Sequence, residues 1–210
     1  MAEAKFRKIM EVFAAENPNP ECELKFVNEY TLLVAVLLSA QSTDKGVNRA
    51  TEELFKVANT PQKMLELGEE KLKSYIKTIG LYNNKAKNII KLSADLCEKY
   101  GGKVPLDHDK LQELAGVGRK TANVVLNVWC GAPTIAVDTH VLRVAHRLGI
   151  SNGRTPLEVE KDLTAKIPEE YHKNLNHWFV LFGRYCCKAK NPNCKGCKLQ
   201  KYCIEKDKNL

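Results

Sequence analysis

Apolar residues recur at helical spacing from one end of this 210-residue chain to the other, and that period constrains the fold more than any other feature. Phe6, Ile9, Met10 and Phe13 mark a first helix, stopped by Asn17-Pro18-Asn19-Pro20. Tyr30 to Ala40 reads as a second, apolar on nearly every side and therefore central. Ser42-Thr43-Asp44 supplies caps for a third that runs through Phe55. Thr60 before Pro61 opens a fourth, because threonine caps and proline suits the first helical position. Helical patterns follow over Glu69–Ile76, Asn83–Tyr100, Asp107–Leu114, Arg119–Trp129, Asp138–Leu148, Pro156–Lys166 and His172–Tyr185, with breaks at Gly80, Gly101-Gly102 and Gly149. Runs that alternate with period two are scarce. The class expected is all-α, with a loop after Cys186.

The longest apolar run, Leu32 to Ala40, falls well short of the roughly 20 residues that cross a bilayer. The polar start Met1-Ala2-Glu3-Ala4-Lys5 lacks the apolar stretch of a secretion signal. A cytoplasmic protein with no membrane partner is expected. In such a reducing compartment the eight cysteines should not form disulfides. Cys22, Cys97, Cys130 and Cys186 are scattered or lack ligand spacing, and read as small buried or half-buried thiols.

Cys187, Cys194, Cys197 and Cys203 are different: four thiols within 17 residues can wrap one metal centre. Zinc and an iron–sulfur cluster both take four cysteine thiolates, and the spacing alone leaves them even. The same stretch is basic. From Arg184 to Leu210 stand eight Lys or Arg against Glu205 and Asp207, which accounts for most of the net charge of +8. A solvated tail would look alike; a polyanion-binding surface is the functional alternative.

Leu114-Ala115-Gly116-Val117-Gly118-Arg119-Lys120 joins two helical patterns through a glycine turn. Glycine permits positive φ and close backbone approach. The helix that follows offers N–H groups and the positive end of its dipole, an anion site fit for phosphate. Lys120 stands in the first turn of that helix. Both the helix end and desolvation would favour its neutral amine, the form that Schiff-base chemistry uses. A lysine simply reaching phosphate is the plain alternative. Asp138, in Val137-Asp138-Thr139-His140-Val141, is placed to cap a helix, and a carboxylate fixed there is also placed for catalysis.

These motifs together resemble the endonuclease III family of helix-hairpin-helix DNA glycosylases, over essentially the whole chain. The family hairpin usually reads Leu-Pro-Gly-Val-Gly; here Ala115 replaces the proline, at some cost in rigidity. The resemblance implies a bifunctional glycosylase and AP lyase acting on oxidised or ring-saturated pyrimidines in duplex DNA, with Lys120 as nucleophile and Asp138 assisting. It implies a [4Fe-4S] cluster on Cys187, Cys194, Cys197 and Cys203. It implies DNA contacts from Gly116, Val117 and Gly118, from Thr139 and His140, and from Lys188 and Lys190 in the cluster loop. Gln41 resembles the family's inserting glutamine and Leu81 its apolar wedge, since extruding a base leaves a gap to fill. Taken alone, Gln41 is a polar helix end and Leu81 a loop residue packing on the core.

The expected architecture is two helical domains flanking an active-site cleft: a six-helix domain over residues 21–132, and a cluster domain made of 1–20 plus 133–210, in a monomer. Three rivals share parts of the pattern. A monofunctional glycosylase would lack a lysine at position 120, a DNA-binding module would need neither Lys120 nor Asp138, and an iron–sulfur electron carrier would need no hairpin.

Overall fold

The computed structural model describes residues 2–209. Among them there is no strand, and the class is all-α. In chain order the helices are α1 (Ala2–Glu16), α2 (Glu29–Ser39), α3 (Asp44–Val57), α4 (Pro61–Leu67), α5 (Glu69–Ile76), α6 (Tyr82–Tyr100), α7 (His108–Gln112), α8 (Arg119–Cys130), α9 (Thr139–Arg147), α10 (Pro156–Lys166) and α11 (His172–Tyr185). The chain folds as two compact units, one spanning Cys22–Ala132 and the other joining the residues before it to those from Pro133 on. No helix among the described residues is long and apolar enough to cross a membrane.

The Cys22–Ala132 unit is built around α2. Leu32, Leu33, Val34, Ala35 and Leu38 are fully buried, each larger side chain contributing roughly 1.5–3 kcal/mol. Asn28 and Thr31 start this helix with a capping box, each side chain accepting from the other's backbone N–H. The unit holds seven helices, one for each helical pattern read between Tyr30 and Trp129 and one more than the six expected of the domain; Gly68 at φ 78° separates α4 from α5. Only α7 is clearly shorter than its sequence pattern. It stops at Gln112, and Leu114 N–H then bonds Leu111 O at 3.2 Å and Val117 N–H bonds Leu114 O at 3.1 Å. These i→i−3 bonds tighten the chain into the hairpin.

The second unit packs α1 onto α11 through aromatic rings. Phe13 stacks on Trp178 with centroids 6.0 Å apart and meets Phe182 edge-on at 5.3 Å. Trp178 Nε1 donates to Asn17 O at 2.7 Å, which anchors the end of α1. The tail is not wholly irregular: Gln200–Tyr202 forms a short 3-10 turn, and Ile204 N–H bonds Arg147 O at 2.8 Å.

Candidate nucleic-acid interface and cysteine cavity

Only one of the two hairpin glycines needs its conformational freedom. Gly116 sits at φ 78°, and a Cβ there would lie 2.8 Å from Asn88 Nδ2. Gly118 has φ −98° and caps α8 without any side-chain hydrogen bond, and a Cβ on it would meet nothing within 4 Å. The start of α8 is thus open to an approaching anion, while the buried Val117 holds the turn to the core. Lys120 follows in the first turn of α8 and is exposed.

Gln41 and Leu81, singled out for insertion, share an unusual backbone. Among the described residues the non-glycine positions with positive φ are Gln41 at 55°, Leu81 at 58° and Asn191 at 50°. A left-handed conformation costs a non-glycine residue roughly 1–2 kcal/mol, and such strain gathers at functional sites. Leu81 is the N-cap of α6 and is 61% exposed, so it does not pack on the core. The two turns are neighbours, since a Cβ on Gly80 would lie 3.6 Å from Gln41 O. Lys85, which sequence reasoning passed over, is buried beneath them; a lysine inside a helical pattern carries no sequence signal of burial.

In the other unit Asp138 caps α9. Its Oδ1 accepts from His140 N–H at 2.8 Å and from Val141 N–H at 2.9 Å. Thr139 is exposed and His140 half-buried at that helix start. The same helix is bolted to the cysteine loop by two arginines one turn apart. Arg143 donates to Cys187 O at 2.9 Å, to Gly183 O at 2.8 Å and lies 3.2 Å from His140 Nδ1. Arg147 donates to Lys188 O at 2.8 Å and reaches Cys187 Sγ at 3.4 Å. Gly183 makes the approach of α11 to α9 possible, because a Cβ there would lie 2.9 Å from His140 Cβ. Lys188 and Lys190 are exposed on the loop so held.

Cys187, Cys194, Cys197 and Cys203 all line one cavity. Among the described residues no three His, Cys, Asp or Glu side chains are drawn together tightly enough to hold a single ion. Cys186, set aside in the sequence for want of spacing, lines the same cavity; its one sequence signal was adjacency to Cys187. Burial, and after it the neighbouring Cys197, push the Cys186 thiol up to about 12. Burial raises Cys197 as well.

Comparison with known proteins gives one answer. Residues 34–169 match the family model described as "HhH-GPD superfamily base excision DNA repair protein". The chain is 56% identical to Endonuclease III of Treponema pallidum over 94% of this chain and 93% of that protein. It is 50% identical to Endonuclease III of Escherichia coli K12 over 99% of both. Among solved structures, that of a trapped Endonuclease III–DNA covalent intermediate superposes with a TM-score of 0.92 at 48% identity, covering 97% of this chain and 96% of that one.

Proposed function

This chain belongs to the HhH-GPD superfamily of base excision DNA repair proteins and, within it, to the endonuclease III family; on that footing we propose that Lys120 is its nucleophile, Asp138 its assisting carboxylate, and oxidised or ring-saturated pyrimidines in duplex DNA its substrates. It is a DNA glycosylase and AP lyase of base excision repair, and it binds damaged DNA.

The observation that carries the assignment is the place of Lys120. It stands exposed in the first turn of α8, two residues after a cap that leaves the helix start open. A phosphate seated at that helix start would bring the damaged strand to the lysine. That a homologous enzyme was trapped covalently on DNA supports a nucleophile of the protein in the reaction.

The chemistry runs through the amine. The neutral Nζ of Lys120 attacks C1′; the glycosidic bond breaks and the base leaves with its electron pair and a proton. The attached nitrogen gives up a proton and then shares its lone pair with C1′ as the C1′–O4′ bond breaks and O4′ takes up a proton, so the opened sugar carries an iminium that makes a 2′ proton acidic. Loss of that proton drives electrons into the C2′–C3′ bond and expels the 3′ phosphate, cutting the strand by β-elimination. Asp138 stabilises the positive charge that develops on the sugar and assists the proton transfers. The hydrogen bonds from His140 and Val141 keep its carboxylate in one orientation.

The cysteine cavity suits a [4Fe-4S] cluster on Cys187, Cys194, Cys197 and Cys203. When bound, the cluster supplies a cross-link that stiffens the loop carrying Lys188 and Lys190 for phosphate contact. A cytoplasmic, monomeric enzyme fits this reading.

Borohydride trapping on a duplex carrying one ring-saturated pyrimidine tests the proposal. The wild type should give a covalent protein–DNA band and Lys120→Ala none, while Lys120→Ala keeps most duplex affinity. A band of undiminished intensity from Lys120→Ala would remove the lysine from the mechanism. Release of free base by the wild type without any band would make it monofunctional.

A further inference from the structure

Lys85 is 6% exposed, and its ammonium is fully used. Nζ donates to Leu38 O at 2.9 Å, to Ala40 O at 2.6 Å and to Ser42 Oγ at 3.4 Å, one acceptor for each of its three protons. These acceptors are the end of α2 and the turn that holds Gln41. The remaining carbonyls of that helix end are met locally: Val36 O by Ser39 Oγ at 2.8 Å, Leu37 O by Ala40 N–H at 3.5 Å and Ser39 O by Ser42 N–H at 3.0 Å. Without Lys85, Leu38 O and Ala40 O would lose these donors. A cation also suits the negative end of the α2 dipole.

The lysine is placed by α6. Leu81, Lys85 and Asn88 fall at i, i+4 and i+7, one face of that helix. Leu81 caps it, Lys85 reaches the Gln41 turn, and Asn88 packs under Gly116 of the hairpin. One helix face therefore registers three turns to which the family reading gives DNA contacts.

We propose that Lys85 is a positioning residue for base extrusion, holding the turn 38–42 so that Gln41 keeps its left-handed backbone and is presented for insertion. The proposal rests on the insertion reading of Gln41 and Leu81, and adds to it the group that sets their geometry. Burial alone lowers the Lys85 pKa from its ordinary value, so keeping the charge there has a cost that the three acceptors offset.

Single-turnover base release is measured for wild type, Lys85→Met, Gln41→Ala and the double variant. Each is tried on a fully paired duplex with one ring-saturated pyrimidine and on the same lesion in an unpaired bubble. Lys85→Met and Gln41→Ala should each slow release at least about tenfold on the paired duplex, yet less than about threefold in the bubble, where the base is already unpaired. The double variant should be no slower than Gln41→Ala, because the two residues act through one turn. Equal loss on both substrates, loss on neither, or additive losses would overturn the role of Lys85. A slow Gln41→Ala beside an unaffected Lys85→Met would leave insertion standing and reject Lys85 alone. An unaffected Gln41→Ala would reject insertion, and Lys85 with it. If Lys85→Met does not fold, Ser42→Ala carries the comparison. A loss of more than about twofold confined to the paired duplex is then expected, and an unchanged rate overturns the proposal.

Discussion

Arg147 Nη1 lies 3.4 Å from Cys187 Sγ and 2.8 Å from Lys188 O, so one guanidinium grips both a thiol and the backbone of the cysteine loop. Arg143, four residues earlier, holds Cys187 O from the same helix face. The helix that Asp138 caps is thus the one that secures the loop, and whatever fills the cysteine cavity also steadies the carboxylate's helix.

Arg147→Met should loosen the proposed cluster. Hydrogen-bond donors to metal ligands are typically worth about 10–100-fold in metal affinity. Iron loss to a chelator, followed by visible absorbance, should accelerate by roughly tenfold at the low end of that range. An unchanged rate of bleaching would show that the contact at 3.4 Å does not act on the bound cluster.

Asp138 caps α9, and two substitutions separate that task from the chemical one proposed for it. Asparagine caps a helix about as well as aspartate, so Asp138→Asn should leave thermal stability nearly unchanged while lowering the rate of strand cleavage by about a hundredfold or more. Asp138→Ala should add a stability loss of about 1 kcal/mol from the missing cap. Equal rates for Asp138→Asn and wild type would confine the residue to capping.

The wedge proposed at Leu81 would come at a cost in stability. It is exposed and left-handed at φ 58°. Leu81→Asn puts a residue tolerant of that conformation there and removes an apolar surface, and should stabilise the protein by a few tenths to about 1 kcal/mol. Base release from paired duplex should fall meanwhile by about tenfold. A variant that is less stable, or equally fast, would contradict the wedge.

His177 should make the fold acid-sensitive. Burial holds its imidazole below the ordinary range. The unfolded chain takes up the proton near pH 6.5, the folded chain only at lower pH, so the unfolded state binds more protons between those values. Stability therefore falls as pH drops through about 6.5, and His177's share of the loss is complete below its folded pKa. The melting temperature of His177→Gln, followed from about pH 7.5 down to about pH 5, should fall less than that of wild type. Parallel curves would exclude His177 as the cause.

The apolar period, the caps and the breaks belong to local chemistry, and they were readable without a structure. Asp138 could be placed as the cap of α9, and α2, apolar all round, as central, because each is written in residues a few positions apart; that Gly116 rather than Gly118 is the left-handed one was decided by the fold. Lys120 and the four cysteines were visible as motifs, but motif spacing did not say that Cys186 shares their cavity. Lys85 was invisible: its partners at positions 38, 40 and 42 lie more than 40 residues away, and nothing in a helical pattern distinguishes a solvated lysine from one buried under a turn. Helix propensity and capping act through bonds of fixed sequence separation. The burial of a charge, the closing of a cavity and the strain held in Gln41 and Leu81 depend on contacts between distant segments, which only the tertiary fold brings together.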